Sequence, residues 1–240
     1  MRALALVLLL AAGTAHAQDS RRSGYEFMSR ETQAMQDDAV TGPAALSLLD
    51  GEALWTRKAG TSNKACAECH QSGMKGVAAR YPAPYQGKLV NLEQRINACR
   101  TDQQQAAPFA LESKDLLALS AYVGRQSRGM PIAVTSTGNV GKEFFYRRQG
   151  QLNLSCSQCH DDNAGKKLAG SAIPQAHPTG YPIYRLEWQG LGSLQRRLRN
   201  CLTGMRAENY PLGSQELVEL EQFLMWRARG MKIETPAVRP

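Results

Sequence analysis

Two amphipathic segments of similar pattern recur in the two halves of the chain. Residues 113–119 (SKDLLAL) and 214–220 (SQELVEL) each begin with serine and carry an acidic residue two positions later. Their leucines and valine fall on one helical face. Serine is a favoured N-cap residue, and an acidic first turn complements the helix dipole. The pattern therefore predicts an N-capped amphipathic helix in each half.

Upstream of these segments, a second pair of runs matches residue by residue. Residues 51–60 (GEALWTRKAG) and 141–150 (GKEFFYRRQG) share terminal glycines, a basic pair and an aromatic residue at the fifth position, Trp55 or Phe145. Each run predicts a helix that packs an apolar face inwards, with glycine near its C-terminal end.

Each of these runs is followed by the same five-residue motif, Cys-x-x-Cys-His. Two cysteines at this spacing followed directly by histidine are typical of covalent haem attachment, in which the thiols bind the haem vinyl groups and the histidine binds iron. The histidine makes the pattern more specific than a zinc or redox Cys-x-x-Cys pair. The residues concerned are Cys66, Cys69 and His70 in the first motif and Cys156, Cys159 and His160 in the second.

Further matches follow each motif in the same order. Tyr-Pro pairs occur at 81–82 and 181–182, and the two final predicted helices end in Arg-Gly-Met at 128–130 and 229–231. Self-similarity over this length indicates an internal duplication. The sequence therefore predicts a mainly α-helical fold of two tandem cytochrome c-like haem domains.

The boundaries follow from the extent of the repeat. Domain 1 is predicted at 45–134 and domain 2, with the catalytic haem, at 135–240, with a turn-rich linker around 135–141. Residues 18–44 lie outside the repeat. They are interpreted as an N-terminal extension and a candidate contact surface for a partner.

The first residues have the pattern of a secretory signal. A positive residue, Arg2, precedes an apolar run at 3–13 and an Ala-x-Ala cleavage signal at 15–17. This predicts a signal peptide at 1–17, cleaved before Gln18, and hence a periplasmic protein. The apolar run is too short to span a bilayer, and no longer one follows.

The amino-acid composition excludes few classes of function. The formal net charge is +8, or 8 − 1 = +7 without Arg2. Basic residues are not interleaved with aromatic residues as in nucleic-acid-binding surfaces, and export also argues against that function. Two haems would bring roughly four acidic propionates, which would offset part of the charge.

Two cysteines remain outside the haem motifs. Cys99 and Cys201 occupy matching positions, and each has an arginine, Arg95 or Arg197, four positions before it. At this spacing both side chains lie on one helical face. A nearby arginine favours the thiolate, so each cysteine is a candidate iron ligand in its own unit.

Two other interpretations remain open at this point. The spare cysteines could form a disulfide, which requires Cα atoms within about 7 Å. Alternatively, Met130 and Met231 repeat after the last predicted helix and could bind iron. His177 has no counterpart in the first half and is expected at the surface.

The two Cys-x-x-Cys-His motifs, the Arg-x-x-x-Cys pairs and the Arg-Gly-Met ends together resemble the SoxA family, the di-haem subunits of SoxAX cytochrome complexes. The resemblance extends from about residue 52 to 233 and is most specific at 197–201 (RLRNC). It implies two covalently bound c-type haems with His/Cys ligation. The implied axial pairs are His70 with Cys99 and His160 with Cys201.

The resemblance also implies an activity, L-cysteine S-thiosulfotransferase, and two protein partners. Thiosulfate would be joined oxidatively to a cysteine of the carrier SoxYZ, and electrons would pass through haem to the mono-haem cytochrome SoxX in a heterodimer. By position, Cys201 would be catalytic and Arg197 would bind substrate. Arg196, Arg199 and Lys167 are candidates for an anion-attracting entrance. The first haem is expected to be structural or a poor electron carrier.

Three other functions are compatible with parts of this pattern. A thiosulfate dehydrogenase would couple two thiosulfates to tetrathionate without a carrier protein. A non-catalytic di-haem cytochrome would only transfer electrons. A di-haem peroxidase would need an open position at one iron, which two cysteine-ligated haems would not offer.

Overall fold

The computed structural model of this chain describes residues 19–135 and 139–240. The predicted signal peptide and residues 136–138 of the predicted linker lie outside these ranges. The α-helices are α1 (Arg30–Asp37), α2 (Ala45–Thr56), α3 (Cys66–Cys69), α4 (Leu92–Asp102), α5 (Lys114–Arg125), α6 (Val140–Tyr146), α7 (Cys156–His160), α8 (Leu194–Gly204) and α9 (Gln215–Arg227).

The strands of the described residues are short and form three antiparallel hairpins, one of which is extended by a parallel third strand. The strands are β1 (Ala83–Tyr85), β2 (Lys88–Val90), β3 (Lys167–Leu168), β4 (Ser171–Ala172), β5 (Ile183–Arg185), β6 (Gly190–Gly192) and β7 (Ala237–Arg239). Strand β1 pairs with β2, and β3 with β4. Strand β5 pairs with β6 and, in parallel, with β7. The fold is mainly α-helical, as predicted.

Each half of the chain is built on a pair of packed helices, α2 with α5 and α6 with α9. The predicted amphipathic pattern explains α5 and α9, since Leu116 and Leu217 are fully buried. Ser113 caps α5 by accepting a hydrogen bond from the backbone N–H of Leu116 at 3.3 Å. Ser214 occupies the N-cap position of α9, but its buried Oγ has no partner among the described residues.

The first helix of each pair ends earlier than the sequence predicts. Helix α2 ends at Thr56 and α6 at Tyr146, so Gly60 and Gly150 lie beyond them. Both glycines have positive φ, +65° and +73°, in matching turns. Because this backbone region is strained for other residues, glycine marks the turn rather than the helix end.

The two halves meet through a reciprocal set of backbone hydrogen bonds at their Arg-Gly-Met ends. Gly129 donates to the carbonyl of Ile233, and Gly230 donates to that of Ile132, both at 2.8 Å. Two further bonds at 2.9 Å join each isoleucine N–H to the methionine carbonyl of the other half. The same pair of bonds therefore runs in both directions, and the junction is locally symmetric.

The N-terminal extension packs against the second half of the chain. Arg21 donates to the carbonyls of Arg227 and Arg229 at 2.9 and 2.8 Å. Ser23 Oγ donates to Glu234 at 2.6 Å, and the Gln36 side chain accepts from the N–H of Val238 at 3.1 Å. No helix within the described ranges is long and apolar enough to cross a bilayer.

Candidate functional site

Both Cys-x-x-Cys-His motifs fold as a short helix that places the two thiols one turn apart. In α7, Ser155 and Gln158 form a reciprocal capping box, with side chain to backbone bonds of 2.9 and 3.4 Å. In α3, the Glu68 carboxylate accepts from the backbone N–H of Ala65 at 2.7 Å. These caps stabilise helices that would otherwise be too short to persist.

His160 is held in a defined orientation by a backbone carbonyl. Its Nδ1 lies 2.7 Å from the carbonyl oxygen of Pro174. A carbonyl only accepts, so Nδ1 carries the proton and Nε2 is left with a free lone pair. This arrangement is typical of metal-ligating histidines. Pro174 lies in the segment that follows α7 and carries the β3–β4 hairpin.

The His160 side chain also interacts with Cys201 of α8. Burial of the Cys201 thiol raises its pKa, but the hydrogen bond with His160 and the charges of Arg197 and Arg185 outweigh it. The net pKa of Cys201 is lowered, which favours the thiolate. The structure thus brings together three of the predicted site residues, His160, Cys201 and Arg197.

The first motif forms a different arrangement around Cys99 on α4. Arg95 Nη1 donates directly to Cys99 Sγ at 2.6 Å, which confirms that the two lie on one helical face. Burial raises the pKa of Cys99, and Arg95 opposes this only in part. The His70 ring stacks on Trp55, with centroids 5.7 Å apart.

The donor set in each half suits a covalently attached haem. Burial raises the pKa of Cys66 and that of Cys156. The charge of Cys99 raises the pKa of Cys66 further, and the charge of Cys201 raises that of Cys156. Each spare cysteine therefore lies near the anchoring thiols of its own half. Two anchoring thiols, a histidine and a second sulfur are the parts that an iron porphyrin needs.

A cavity of about 550 Å³ opens beside His160. It is lined by basic residues that include Arg227 and Arg229, and Arg227 pairs with Asp161 at 2.6 Å. Guanidinium groups at this position suit the acidic edge of a haem. His177, expected at the surface, is instead half-buried and lines this cavity, with Nδ1 3.0 Å from the carbonyl of Arg22.

The three residues predicted for an anion-attracting entrance lie in different environments. The Arg196 guanidinium stacks over Trp188 at 4.1 Å. Arg199 has a buried Nε with no hydrogen-bond partner among the described residues. Lys167 is exposed in strand β3.

Two further residues belong to the surroundings of Cys201 and were not predicted. Burial raises the pKa of the Tyr181 phenol to about 12, and the charges of Arg197 and Cys201 also act on it. Arg185 is the second residue, through its charge on Cys201. The repeated Tyr-Pro pair signalled Tyr181 in the sequence, whereas no sequence pattern signalled Arg185.

The disulfide alternative for the spare cysteines has no counterpart among the described residues. All six cysteines lie in the described ranges, and all are unpaired there. Met130 and Met231 lie at the junction between the halves, where Met231 packs against the cluster formed by Ile132, Ile233 and their neighbours.

Comparisons with known proteins agree with this arrangement. The chain is 35% identical over 246 residues to the L-cysteine S-thiosulfotransferase subunit SoxA of Pseudaminobacter salicylatoxidans, covering 98% of this chain and 86% of the relative. It is 36% identical over 232 residues to that subunit of Rhodovulum sulfidophilum, covering 92% and 81%.

The same architecture occurs in a solved structure. A chain of the crystal structure of SoxXA from P. pantotrophus superposes with a TM-score of 0.87 at 32% identity, covering 92% of this chain and 87% of that one. The family described as SoxA/TsdA, cytochrome c domain, matches twice, at residues 50–132 and 140–233. These matches confirm the tandem cytochrome c-like repeat, and a cytochrome c domain binds its haem covalently. The chain belongs to the SoxA/TsdA cytochrome c family.

Proposed function

We propose that this protein is the catalytic cytochrome subunit of an L-cysteine S-thiosulfotransferase. It joins thiosulfate oxidatively to a cysteine of a carrier protein. The observation that carries this proposal is the clustering of Cys201 with His160 and Arg197, which brings a sulfur atom, an iron-binding imidazole and a cation together. The names of the relatives, L-cysteine S-thiosulfotransferase subunit SoxA, support the same activity.

The chain binds two haems, one in each half. Cys66 and Cys69 anchor the first, and Cys156 and Cys159 anchor the second. His70 and Cys99 would hold the iron of the first haem, and His160 and Cys201 that of the second. When bound, haem supplies a one-electron acceptor. The cluster of anchoring thiols, histidine and spare cysteine in each half supports this assignment.

In the proposed reaction, Cys201 is the covalent carrier of sulfur. The Cys201 thiolate and thiosulfate, S₂O₃²⁻, form a sulfur–sulfur bond with loss of two electrons, which gives a cysteine S-thiosulfonate. The thiolate of the carrier cysteine then attacks the sulfur bonded to Sγ, and the Cys201 thiolate leaves. The net change is carrier thiolate plus thiosulfate to carrier S-thiosulfonate plus two electrons.

The protein residues around Cys201 orient and activate these groups. Arg197, one helical turn before Cys201, holds the sulfonate end by charge-assisted hydrogen bonds. Its positive charge favours the anionic and hence nucleophilic form of the sulfur. The same charge stabilises the leaving thiolate in the second step.

The partners follow from the same reaction. Two electrons must leave the subunit, and SoxX, a mono-haem cytochrome c, is the proposed acceptor in a heterodimer. The related structure is that of SoxXA, which supports this pairing. The proposed protein substrate is SoxYZ, and the predicted signal peptide places the reaction in the periplasm.

A matched pair of cysteine variants tests the assignment. Cys201→Ala should abolish conjugation of thiosulfate to the carrier cysteine, because the sulfur carrier is lost, whereas Cys99→Ala should retain part of the activity. The carrier adduct is followed by mass spectrometry in the holoprotein complex. Covalent haem content serves as the control, since the anchoring thiols are unchanged in both variants. Similar activity in the two variants would contradict the role of Cys201.

The same assay separates this activity from that of a thiosulfate dehydrogenase, which the sequence pattern also allows. Tetrathionate is measured with thiosulfate as the only sulfur substrate. The proposal expects adduct formation to depend on the carrier, with little tetrathionate in its absence. Rapid carrier-independent tetrathionate formation would identify the dehydrogenase instead.

A further inference from the structure

We propose that Arg185 is a second anion-binding residue of the Cys201 site and that, with Arg197, it holds the sulfonate end of the substrate. The inference deepens the proposed function and rests on it for the identity of the anion. It arises from a difference between the two halves of the chain at one matched position.

The matched position is the third residue of the first strand in each hairpin. Strand β1 follows the first Tyr-Pro pair and ends at Tyr85, which is opposite Lys88 in β2. Strand β5 follows the second Tyr-Pro pair and ends at Arg185, which is opposite Gly190 in β6. The hairpins therefore align, and Arg185 takes the place that Tyr85 has in the first half.

In the first half the residue at this position, Tyr85, covers the arginine that contacts the cysteine. The guanidinium of Arg95 lies over the Tyr85 ring, 4.1 Å from its centroid, and Arg95 Nη1 donates to Cys99 Sγ at 2.6 Å. One face of the arginine is covered and one of its donors is used. In the first half the neighbour of the matched arginine is therefore an uncharged ring, which adds no second cation for an external anion.

In the second half a guanidinium replaces that ring. The alignment of the two halves places Arg185 beside Arg197, as Tyr85 lies beside Arg95. Arg185 also shares the Trp188 ring with Arg196, the chain neighbour of Arg197. Arg185 is paired with Glu187 at 2.7 Å, so the guanidiniums of Arg185 and Arg197 and this carboxylate together carry one net positive charge, which a bound anion would balance. A dianion such as thiosulfate offers both the charge and the oxygen atoms for this role.

The contacts of Arg185 leave a donor free for such a ligand. Its side chain is 13% exposed and its Nη2 donates to Glu187 at 2.7 Å. Its Nε is buried and has no hydrogen-bond partner among the described residues. A buried, unsatisfied N–H on a cation is costly, and an oxyanion would satisfy it.

The neighbours of Arg185 fix its direction. Trp188 lies beneath its guanidinium at 5.1 Å and beneath that of Arg196 at 4.1 Å. The indole N–H donates to Glu187 at 2.7 Å, so the same carboxylate holds both the tryptophan and Arg185. A preorganised guanidinium binds a sulfonate with less entropic cost than a free one.

The test measures anion binding and turnover in the holoprotein complex. Arg185→Gln removes the charge, Arg185→Lys keeps the charge but not the planar fork, and exposed Arg148→Gln is the matched control. Thiosulfate and sulfate binding are measured by calorimetry, and KM and kcat with the carrier protein. Arg185→Gln should weaken both anions and raise KM for thiosulfate by about ten- to a hundredfold. Arg185→Lys should lie between Arg185→Gln and the wild type.

Haem content and melting temperature should match the wild type, as for the control. A wild-type thiosulfate binding constant in either folded Arg185 variant would overturn the proposal. A merely structural role would instead lower the melting temperature of both variants without a selective loss of anion binding. If the wild type binds thiosulfate but forms no carrier adduct, the proposed function fails, and the calorimetric comparison still decides the role of Arg185.

Discussion

At the scale of single residues, the two halves of the chain carry the same arginine–cysteine pair in different surroundings. Arg95 is committed to Cys99 and stacked on Tyr85. Arg197, at the matching position of α8, shares its cysteine with a second arginine, Arg185. The two halves therefore differ in the residue beside the matched arginine, which is Tyr85 in the first half and Arg185 in the second.

This difference predicts unequal effects of the two matched arginines on catalysis. Arg197→Ala should lower kcat/KM for thiosulfate by about tenfold or more, because a charge-assisted hydrogen bond to the substrate is lost. Arg95→Ala should leave kcat/KM within about twofold of the wild type. Steady-state kinetics with the carrier protein measures both. Equal losses would argue that the arginines only support their cysteines.

At the scale of helices, close crossing in each half depends on a matched glycine. A Cβ added to Gly51 would lie 2.2 Å from the carbonyl oxygen of Ala118, and one added to Gly141 would lie 2.1 Å from that of Glu219. These distances are far below contact distance, so α2 and α6 can approach α5 and α9 only because glycine is present. The crossing positions the helix whose end leads into each haem motif.

Gly141→Ala should therefore destabilise the protein although alanine favours helices. We expect a loss of about 1–3 kcal/mol in the free energy of unfolding, since the backbone of α9 has to move. Gly204→Ala is the control, because its Cβ would meet nothing within 4 Å. Its effect should stay within about 0.5 kcal/mol. Denaturant unfolding of both variants measures the difference, and equal midpoints would contradict the packing argument.

The sequence predicted the elements that depend on local chemistry. Serine caps, amphipathic periodicity and the Cys-x-x-Cys-His spacing are local, and Ser113 and both haem motifs lie in helical elements that fit them. The contacts that distinguish the two sites are long-range. Pro174 reaches His160 through a segment that the first half lacks, and Arg185 reaches Cys201 from a strand. The Pro174 contact has no counterpart in the first half, and the position that matches Arg185 holds Tyr85, so the repeat could reveal neither contact.

At the scale of the whole molecule, the two halves meet around a small acidic cluster. Glu221 of α9 is 6% exposed, and its carboxylate accepts from Asn91 Nδ2 at 3.2 Å, across the junction. Glu93 and Glu221 line a common cavity of about 60 Å³. Burial, and then the charge of Glu93, raise the pKa of Glu221, and burial, with the charge of Glu112, raises that of Glu93.

This cluster predicts that stability falls as pH rises through the neutral range. In the unfolded chain both carboxyls lose their protons near their ordinary pKa of about 4.3, whereas the folded chain retains them to a higher pH. Between these limits the folded state binds more protons, so the free energy of unfolding decreases with pH, by about 1.4 kcal/mol per pH unit for each proton retained. Glu221→Gln keeps one donor and one acceptor, as in the protonated acid, and removes the charge. It should flatten the slope between pH 5 and 7, measured by denaturant unfolding, whereas exposed Glu208→Gln should leave it unchanged. If the slope in Glu221→Gln equals that of the wild type, Glu221 does not retain a proton in the folded state over this pH range.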